Sequence, residues 1–350
     1  MTLIFFILIF GLVVVSHEFG HFLLAKVNGI RVVEFSVGMG PTLLAFTKGE
    51  TKYSLKLLPI GGACMFEGED GLNTVEGEES EGAFNKAGVW ARISTVAAGP
   101  IFNFILGFII AAIIVSVPDV AIALPVITVT EDSAAKEAGL QSGDKIISLN
   151  GERIYLYKEM SLFNYINGGN EVLVEFERNG ERMETKLQPR YNAETGGYVF
   201  GVYCQELAPE EGIGRLKYAW YEVRYSVINT YKSLQMLVKG RVESDDVAGP
   251  VGIAVNVVGK TYEATKEDGP LWVVLNMLGI ALLLSVNLGI LNLLPIPALD
   301  GGRLVFLLIE VVRGKTIPPE KEGMVHLAGM IFFMGLMVVV FFNDLRNIFG

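Results

Sequence analysis

The pattern H-E-F-G-H at residues 17–21 is the first feature of this 350-residue chain that could perform chemistry. Residues i and i+4 of an α-helix lie on one face, so the imidazoles of His17 and His21 can bind one metal ion, with Glu18 beside it. Glu18 is then placed to accept a proton from water whose pKa a zinc ion lowers to about 7. The alternative is a group of polar residues near a helix end that neighbouring groups satisfy. Because ionisable groups are costly within an apolar stretch, the pattern favours a metal site with Glu18 as general base.

A catalytic zinc site normally has three protein ligands, and elimination identifies a candidate for the third. The second apolar stretch has no ionisable side chain after Arg92, and the third has none before Asp300. One zinc motif continues with a histidine at position 27, which is Val27 here. Glu34 is separated from the motif by a glycine and a polar loop, and His326 is more simply explained as a residue at the membrane interface. Asp300 is therefore the predicted third ligand.

The segment that leads to Asp300 is interrupted by two prolines and ends with two glycines. Pro295 and Pro297 remove backbone donors and break a helix, which is tolerated at membrane depth only where the chain is buried in protein or borders a cavity. We therefore expect the freed carbonyl groups and the Asn292 amide to bind an extended peptide. The simpler interpretation is a helix end at which proline and glycine act as stop signals.

The elements that carry these residues are apolar enough to cross a membrane. Hydrophobic residues make up 51% of the chain, charged residues make up 19%, and the mean hydropathy is +0.45, whereas a soluble domain has about 25% charged residues. No Lys or Arg precedes Lys26, so the first stretch is predicted to be a retained span and not a cleaved signal peptide. The sequence thus predicts an α-helical polytopic membrane protein with four transmembrane helices. The predicted spans are residues 1–25, 89–117, 271–299 and 324–342.

Basic residues indicate the orientation of these spans. Only the short segments are informative, because long domains such as residues 118–270 cross the membrane largely regardless of charge. Among these segments, the loops 26–88 and 300–323 carry Lys and Arg close to their membrane ends, whereas the C-terminal tail 343–350 contains only Arg346. The positive-inside rule therefore predicts that both loops are cytoplasmic and that both termini and residues 118–270 are extracytoplasmic. The protein is expected in the cell (inner) membrane, with the active site near the cytoplasmic side. The net charge of −10 argues against a nucleic-acid partner.

The loop 26–88 contains a pattern of regular structure. Residues 51–57 alternate between polar and apolar side chains, and the pair Gly61 and Gly62 follows closely. Alternation of this kind predicts a strand, and a glycine pair predicts a turn or a close approach of two backbones. We therefore expect a β-hairpin in this loop.

The external segment is predicted to contain one α+β domain and one amphipathic helix. Residues 118–190 contain a short helix, turns and strands, and they resemble a bacterial PDZ domain, which binds peptides along a sheet edge. No glycine-containing carboxylate-binding loop is found near residues 125–130, so the domain either binds peptide ends or acts as a steric filter, and the filter is slightly favoured. Within residues 191–270, apolar residues at three- and four-residue steps predict an amphipathic helix at 214–239. This helix lies either on the membrane surface or against the domain.

Four motifs follow one another along the chain. They are H-E-F-G-H at 17–21, G-P-I-F-N at 99–103, G-P-V-G-I at 249–253 and N-L-L-P-I-P-A-L-D-G-G at 292–302. Together they resemble the site-2 protease family of intramembrane zinc metalloproteases, in its bacterial regulated-intramembrane-proteolysis branch. The resemblance implies one Zn²⁺ per chain, bound by His17, His21 and Asp300. It also implies that Glu18 is the catalytic base.

The same resemblance indicates how a substrate is bound. It places Asn292, Pro295 and Pro297 near the substrate, and it predicts a membrane-associated hairpin that pairs with the substrate as an added strand. An ordinary hairpin that covers the loop is an equally good interpretation. The implied function is that of an endopeptidase that cleaves the transmembrane segments of single-span proteins in the lipid bilayer. Anti-sigma factors and signal-peptide remnants are the substrates that the resemblance implies.

Three other functions compete with this interpretation. Membrane metalloproteases that trim prenylated C-termini also use H-E-x-x-H, but their third ligand is a glutamate on a later helix, and no later span here offers one. A non-catalytic membrane scaffold with a PDZ module would gain nothing from three ionisable groups in hydrocarbon. A transporter is disfavoured because no internal repeat of spans is present.

Overall fold

The computed structural model describes residues 1–69, 81–118, 120–194, 196–208, 212–241 and 248–349. It divides into two compact units, the first made of Met1–Ile110 and Leu234–Gly350 and the second of Ala111–Ser233. In chain order the helices are α1 (Thr2–Val27), α2 (Val89–Ser116), α3 (Ala134–Glu137), α4 (Tyr157–Asn167), α5 (Leu216–Val238), α6 (Pro250–Gly252), α7 (Lys260–Thr265), α8 (Pro270–Asn292), α9 (Asp300–Arg313) and α10 (Pro319–Phe349). The strands are β1 (Val32–Lys48), β2 (Thr51–Phe66), β3 (Ile127–Val129), β4 (Lys145–Leu149), β5 (Glu152–Arg153), β6 (Val172–Arg178), β7 (Glu181–Leu187), β8 (Arg190–Asn192), β9 (Gly197–Val199) and β10 (Val202–Cys204).

Within the part of the chain that the structure describes, four helices are long and apolar enough to cross a membrane. They are Thr2–Val27, Val89–Ser116, Pro270–Asn292 and Lys321–Ile348. A helix pairs its own backbone groups, which is what the hydrocarbon core of a bilayer requires. The chain is therefore a multi-pass membrane protein, and the expectation of four apolar helices is confirmed.

The predicted third span, 271–299, is wrong at its end. Helix α8 stops at Asn292, because the chain then turns through a segment in which Pro295 and Pro297 cannot donate backbone hydrogen bonds and Ala298 has φ +74°. The predicted loop 300–323 is also wrong in its first half, since α9 begins at Asp300 and continues to Arg313. An acidic residue in the first turn of a helix and a basic one in the last are both favoured by the helix dipole.

The predicted C-terminal tail, 343–350, is helical as far as the structure describes it, because α10 continues to Phe349. Asp344, which is 2% exposed, accepts hydrogen bonds from the backbone N–H groups of Gly249 at 2.9 Å and Gly252 at 2.8 Å. A π-helical segment then joins α6 to α7, and its Gly259 lies beside Thr2 of α1. The start of α1 and the end of α10 therefore lie at the same end of the helical bundle.

The hairpin in the loop 26–88 is longer than the alternating pattern predicts. Residues 44–48 of β1 pair with residues 51–55 of β2 in antiparallel fashion around a turn at residues 49–50. Residues 34–37 of β1 lie between two segments of β2 and pair with 52–55 in parallel and with 62–65 in antiparallel fashion. The predicted glycine pair lies within β2 where the chain reverses direction between residues 55 and 62, and a Cβ added to Gly62 would lie 3.0 Å from the Ser36 carbonyl oxygen. The base of the hairpin packs against α1, α2 and α9 in one apolar cluster. The buried residues of this cluster are Ala25, Ile30, Val32, Phe66, Phe84, Val96 and Leu307.

The second unit contains a four-stranded antiparallel sheet in the order β5-β4-β6-β7, with a separate pair of β10 and β3. The predicted boundary of the PDZ-like domain at residue 190 is wrong, because β10 pairs with β3 and so belongs to the same unit. The loop before β10 contains Gly201 at φ +76°, which accepts a hydrogen bond from Thr130 N–H. A glycine-containing loop is thus present beside residues 125–130, but it comes from a later part of the chain. Together with α4 it borders a groove of about 710 Å³.

Helix α5, which corresponds to the predicted amphipathic helix, packs against the second unit. Arg224 donates to the carboxylate of Glu159 at 2.7 Å, and Lys158 is paired with Glu222. The ring of Tyr155 stacks on that of Tyr221 with centroids 4.4 Å apart. Of the two placements that the sequence left open, the structure shows contact with the domain.

Candidate active site

Three of the predicted site residues lie together inside the first unit. His17 and His21 are on α1, each 7% exposed, and Asp300 is the first residue of α9. The Nε2 atoms of the two histidines are 3.2 Å apart. Asp300 Oδ2 lies 3.1 Å from His17 Nε2 and 3.4 Å from His21 Nε2. The separation of four residues along α1 and the break after α8 thus bring three donor atoms to one point.

This arrangement fits a zinc ion. Two ligand atoms of a tetrahedral zinc, each with a bond of about 2.0–2.1 Å, lie roughly 3.3 Å apart, and the three observed separations are 3.1, 3.2 and 3.4 Å. Asp300 Oδ2 is also a buried oxygen for which the described residues supply no hydrogen-bond donor of suitable geometry. Three lone-pair donors that converge in this way could hold a divalent cation.

Groups on α2 orient both imidazoles. His21 Nδ1 donates to the carbonyl oxygen of Thr95 at 2.9 Å, which leaves Nε2 free as a ligand. The side-chain amide of Asn103 lies 3.1 Å from His17 Nδ1, and its Oδ1 has no partner among the described residues. The N and O atoms of an amide are assigned from the network, so we assign Oδ1 to accept from His17 Nδ1–H, which likewise frees Nε2. The sequence contained a signal for Asn103, because it ends the motif G-P-I-F-N, but this role was not predicted.

Asp300 reaches the histidines because α9 packs closely on the broken segment before it. A Cβ added to Gly301 would lie 2.1 Å from the Leu294 carbonyl oxygen, and one added to Gly302 would lie 2.4 Å from that of Ile296. Only glycine permits such close contact of two backbones. The two glycines after Asp300 therefore set the position of this ligand.

Gly99 of the second motif is the point at which α2 passes against the metal ligands. A Cβ at this position would lie 2.2 Å from His21 Nε2 and 2.8 Å from His17 Cε1. We therefore expect Gly99→Ala to displace the imidazoles and to weaken zinc binding by at least about tenfold, as loss of orienting groups does in other zinc sites. The measurement is zinc affinity of the purified protein, by competition with a chelator. Gly11→Ala on α1 is the matched control, since no atom lies within 4 Å of its Cβ, and an equal loss in both variants would contradict this explanation.

Glu18 faces a cavity of about 470 Å³ beside the three donor atoms. The backbone of Cys64 lies near its carboxylate, and Gly62 packs against its Cγ. One wall of the cavity is formed by residues 61–66 of β2, and the opposite side includes Asn292, whose Nδ2 is 3.4 Å from His17 Nε2. A proton acceptor, a strand edge and an amide thus surround the same space.

Of the three residues predicted to bind the substrate, only Asn292 lines this cavity. Pro295 and Pro297 are not among the described residues that line this cavity. Pro297 packs instead against Gly329 of α10, where an added Cβ would lie 2.6 Å away. The two prolines therefore shape the segment between α8 and α9, whereas Asn292 borders the cavity itself.

The two rejected ligand candidates have other partners. Glu34 accepts a hydrogen bond from Ser54 at 2.5 Å, and together with the nearby Lys56 this holds the pKa of Glu34 below its usual value. His326 Nδ1 accepts a hydrogen bond from the Ala298 backbone N–H at 3.0 Å. Neither side chain belongs to the cluster of three donors.

Four apolar helices and a His-His-Asp site with an adjacent glutamate are together typical of one class of protein, the membrane zinc metalloproteases. The model of peptidase family M50, the family of the site-2 proteases, matches residues 5–336, and the chain belongs to this family. It is accordingly a zinc metalloprotease, and Zn²⁺ is its cofactor.

Several relatives match along their whole length. The regulator of sigma-W protease RasP of Bacillus subtilis is 32% identical over 99% of this chain and 99% of its own. The zinc metalloprotease RasP of Geobacillus kaustophilus is 32% identical, with 99% and 98% covered. A putative zinc metalloprotease of Agrobacterium fabrum is 32% identical, with 99% and 96% covered. Among solved structures, the PDZ domain of an SdrC-like protein from Listeria monocytogenes matches 25% of this chain and 87% of its own at 16% identity, with a TM-score of 0.21.

Proposed function

We propose that this zinc metalloprotease hydrolyses a peptide bond within or next to the transmembrane segment of single-span membrane proteins. The observation that carries the proposal is the position of one cavity inside the helical unit, bordered at once by three metal donors, Glu18 and the edge of β2. In this proposal one zinc ion per chain is held by His17, His21 and Asp300. The non-catalytic scaffold explains none of these contacts.

The residues that line the cavity have separate roles in hydrolysis. When bound, zinc supplies Lewis-acid polarisation of the scissile carbonyl and lowers the pKa of water. Glu18 takes the proton of the attacking water and transfers it to the leaving amine, which is general base and then general acid catalysis. Asn292 donates its amide to the substrate backbone. Residues 61–66 of β2 bind the substrate as an added strand, because an unwound transmembrane segment needs partners for its backbone groups.

The substrates are proposed from the chemistry of the site and from one relative. The relative from Bacillus subtilis is named a regulator of sigma-W protease, and we extend this to membrane-anchored anti-sigma factors as substrates here. Signal-peptide remnants are a second proposed group, because they too are single apolar segments without a large external domain.

We place the protein in the cell (inner) membrane, with both termini and the PDZ-like unit outside and the loop 26–88 in the cytoplasm. The distribution of Lys and Arg supports this orientation. The contact of Thr2 with Gly259 and of Asp344 with Gly249 supports it further, because both ends of the helical unit lie on one side. The active site is then nearer to the cytoplasmic side.

The groove of the second unit favours peptide binding over a purely steric role. It lies between α4 and the strand β10, and the glycine-containing loop at Gly201 is at its edge. A peptide could extend the β3–β10 pair there by strand addition. We propose that this groove binds the external end of a substrate that another protease has already shortened.

The experiment that tests the proposed function is cleavage in proteoliposomes that contain the full chain, zinc and a single-span anti-sigma factor lacking its external domain. Mass spectrometry of the products identifies the cleaved bond. We expect one main cleavage within the apolar segment and none after removal of zinc with a chelator. Cleavage confined to the polar flanks would contradict intramembrane proteolysis, and a zinc-free, inactive but folded protein would favour the scaffold.

A further inference from the structure

Arg303 lines the active-site cavity but takes no part in the chemistry above. It follows Asp300 by three residues on α9, so the two side chains lie on the same face of the helix. Its guanidinium is paired with the carboxylate of Glu69, and its Nε lies 3.9 Å from Glu322 Oε1. The three side chains are 18%, 15% and 24% exposed. This is a largely buried ion cluster at one wall of the site.

The first partner of Arg303 belongs to the hairpin. Glu69 follows the end of β2, and its second carboxylate oxygen accepts a hydrogen bond from the Phe66 backbone N–H at 3.1 Å. Residues 61–66 form the wall of the cavity that is proposed to bind the substrate strand. Glu69 therefore joins the end of this wall directly to the helix that carries Asp300.

The second partner belongs to α10. Glu322 Oε1 lies 3.9 Å from Nε2 of His326, one turn further along that helix. His326 Nδ1 in turn accepts the hydrogen bond from Ala298 N–H, in the segment between α8 and α9. Arg303 thus contacts the hairpin through Glu69 and, on its other side, Glu322, which lies beside the histidine that binds the chain just before Asp300.

We propose that Arg303 is a positioning residue that holds the hairpin wall against the metal-ligand helix, so that a bound substrate strand lies in register with Glu18. The proposal rests on the proposed proteolytic function. Charge-assisted bonds in a largely buried site are strong and directional, and loss of one partner leaves an uncompensated charge. Without Arg303, residues 61–66 lose their ion-paired link to α9 and keep only the apolar contact of Phe66 with that helix, while His17 and His21 keep their partners on α2.

The test compares Arg303→Gln and Glu69→Gln in the full, zinc-loaded chain. We expect KM for the single-span substrate to rise about tenfold in each variant, with zinc content unchanged, because substrate binding and not the metal site is affected. The reversed pair Arg303→Glu with Glu69→Arg should recover activity relative to Arg303→Glu alone. Failure of the reversed pair to recover any activity would overturn the proposed contact.

Glu310→Gln is the structural control, since it removes the ion pair of Arg92 with Glu310 on the same helix, a pair that includes no residue of the hairpin. It should lower the melting temperature and leave KM unchanged. If Glu310→Gln raised KM as much as Arg303→Gln does, Arg303 would only stabilise α9 and would not position the hairpin. Hydrogen exchange of residues 61–66 gives a readout that does not depend on activity. Faster exchange in Arg303→Gln is expected, and unchanged exchange would overturn the proposal even if the proteolytic function proved wrong.

Discussion

Replacement of Glu18 by glutamine should lower the rate of substrate cleavage by about 10³-fold and leave the zinc content unchanged, since general acid–base groups contribute about 10²- to 10⁴-fold. Glutamine has nearly the same shape, so it fits between the Cys64 backbone and Gly62, but it cannot accept the proton of the attacking water. The measurement is the single-turnover rate in proteoliposomes, together with zinc per chain by elemental analysis.

The matched control for this variant is Glu50→Gln. Glu50 lies at the turn of the hairpin, is 60% exposed in its side chain and pairs with Arg31 at 3.1 Å. An exposed ion pair contributes little, so the cleavage rate should stay close to that of the parent. A Glu18→Gln variant that cleaves as fast as the parent would assign the general base to another residue.

Loss of a zinc ligand is the second large effect. His17→Ala and Asp300→Ala should each weaken zinc binding by more than about 100-fold, beyond what the loss of an orienting group causes, and should abolish cleavage. The reason is that a site with two remaining protein ligands no longer encloses the ion. Zinc per chain, measured on detergent-purified protein after dialysis against a weak chelator, should fall from about one in the parent to almost none.

The variant His326→Ala tests whether His326 is a metal ligand or only lies near the site. Its Nδ1 is occupied by the Ala298 backbone N–H, so this variant should keep its zinc. Zinc retained in Asp300→Ala would move the third ligand elsewhere, and zinc lost in His326→Ala would point to that histidine instead.

The sequence predicted the centre of the site because its geometry is local. The spacing of His17, Glu18 and His21 fixes their relation on any helix, and the apolar stretches have so few ionisable groups that Asp300 could be singled out. Asn103 and Thr95 could not be assigned, because their contact with α1 depends on how two distant helices pack. Gly99 was recognised as part of a motif. The reason that a glycine is required there, which is the closeness of the two imidazoles, is visible only in three dimensions.

The errors in the fold have a common physical cause. Hydropathy does not register the break after Asn292, so α8 and the non-helical residues 293–299 were joined into one span. The boundary of the external domain was placed too early, at residue 190. Strand β10, which pairs with β3 about 75 residues earlier, has only three residues and therefore no distinctive sequence pattern. In both cases the deciding interactions join parts of the chain that are remote in sequence.

The position of Asp300 has a consequence for the order in which this enzyme matures. His17 and Asp300 are separated by 300 − 17 = 283 residues, so a zinc ion bound by both, as we propose, closes a very long loop of chain, much as a covalent cross-link would. The metal can be enclosed only after α9 has been synthesised and has reached α1. During membrane insertion the nascent chain therefore carries its histidines without the complete proposed site, and the proposed cleavage of apolar segments begins only after its own bundle has closed.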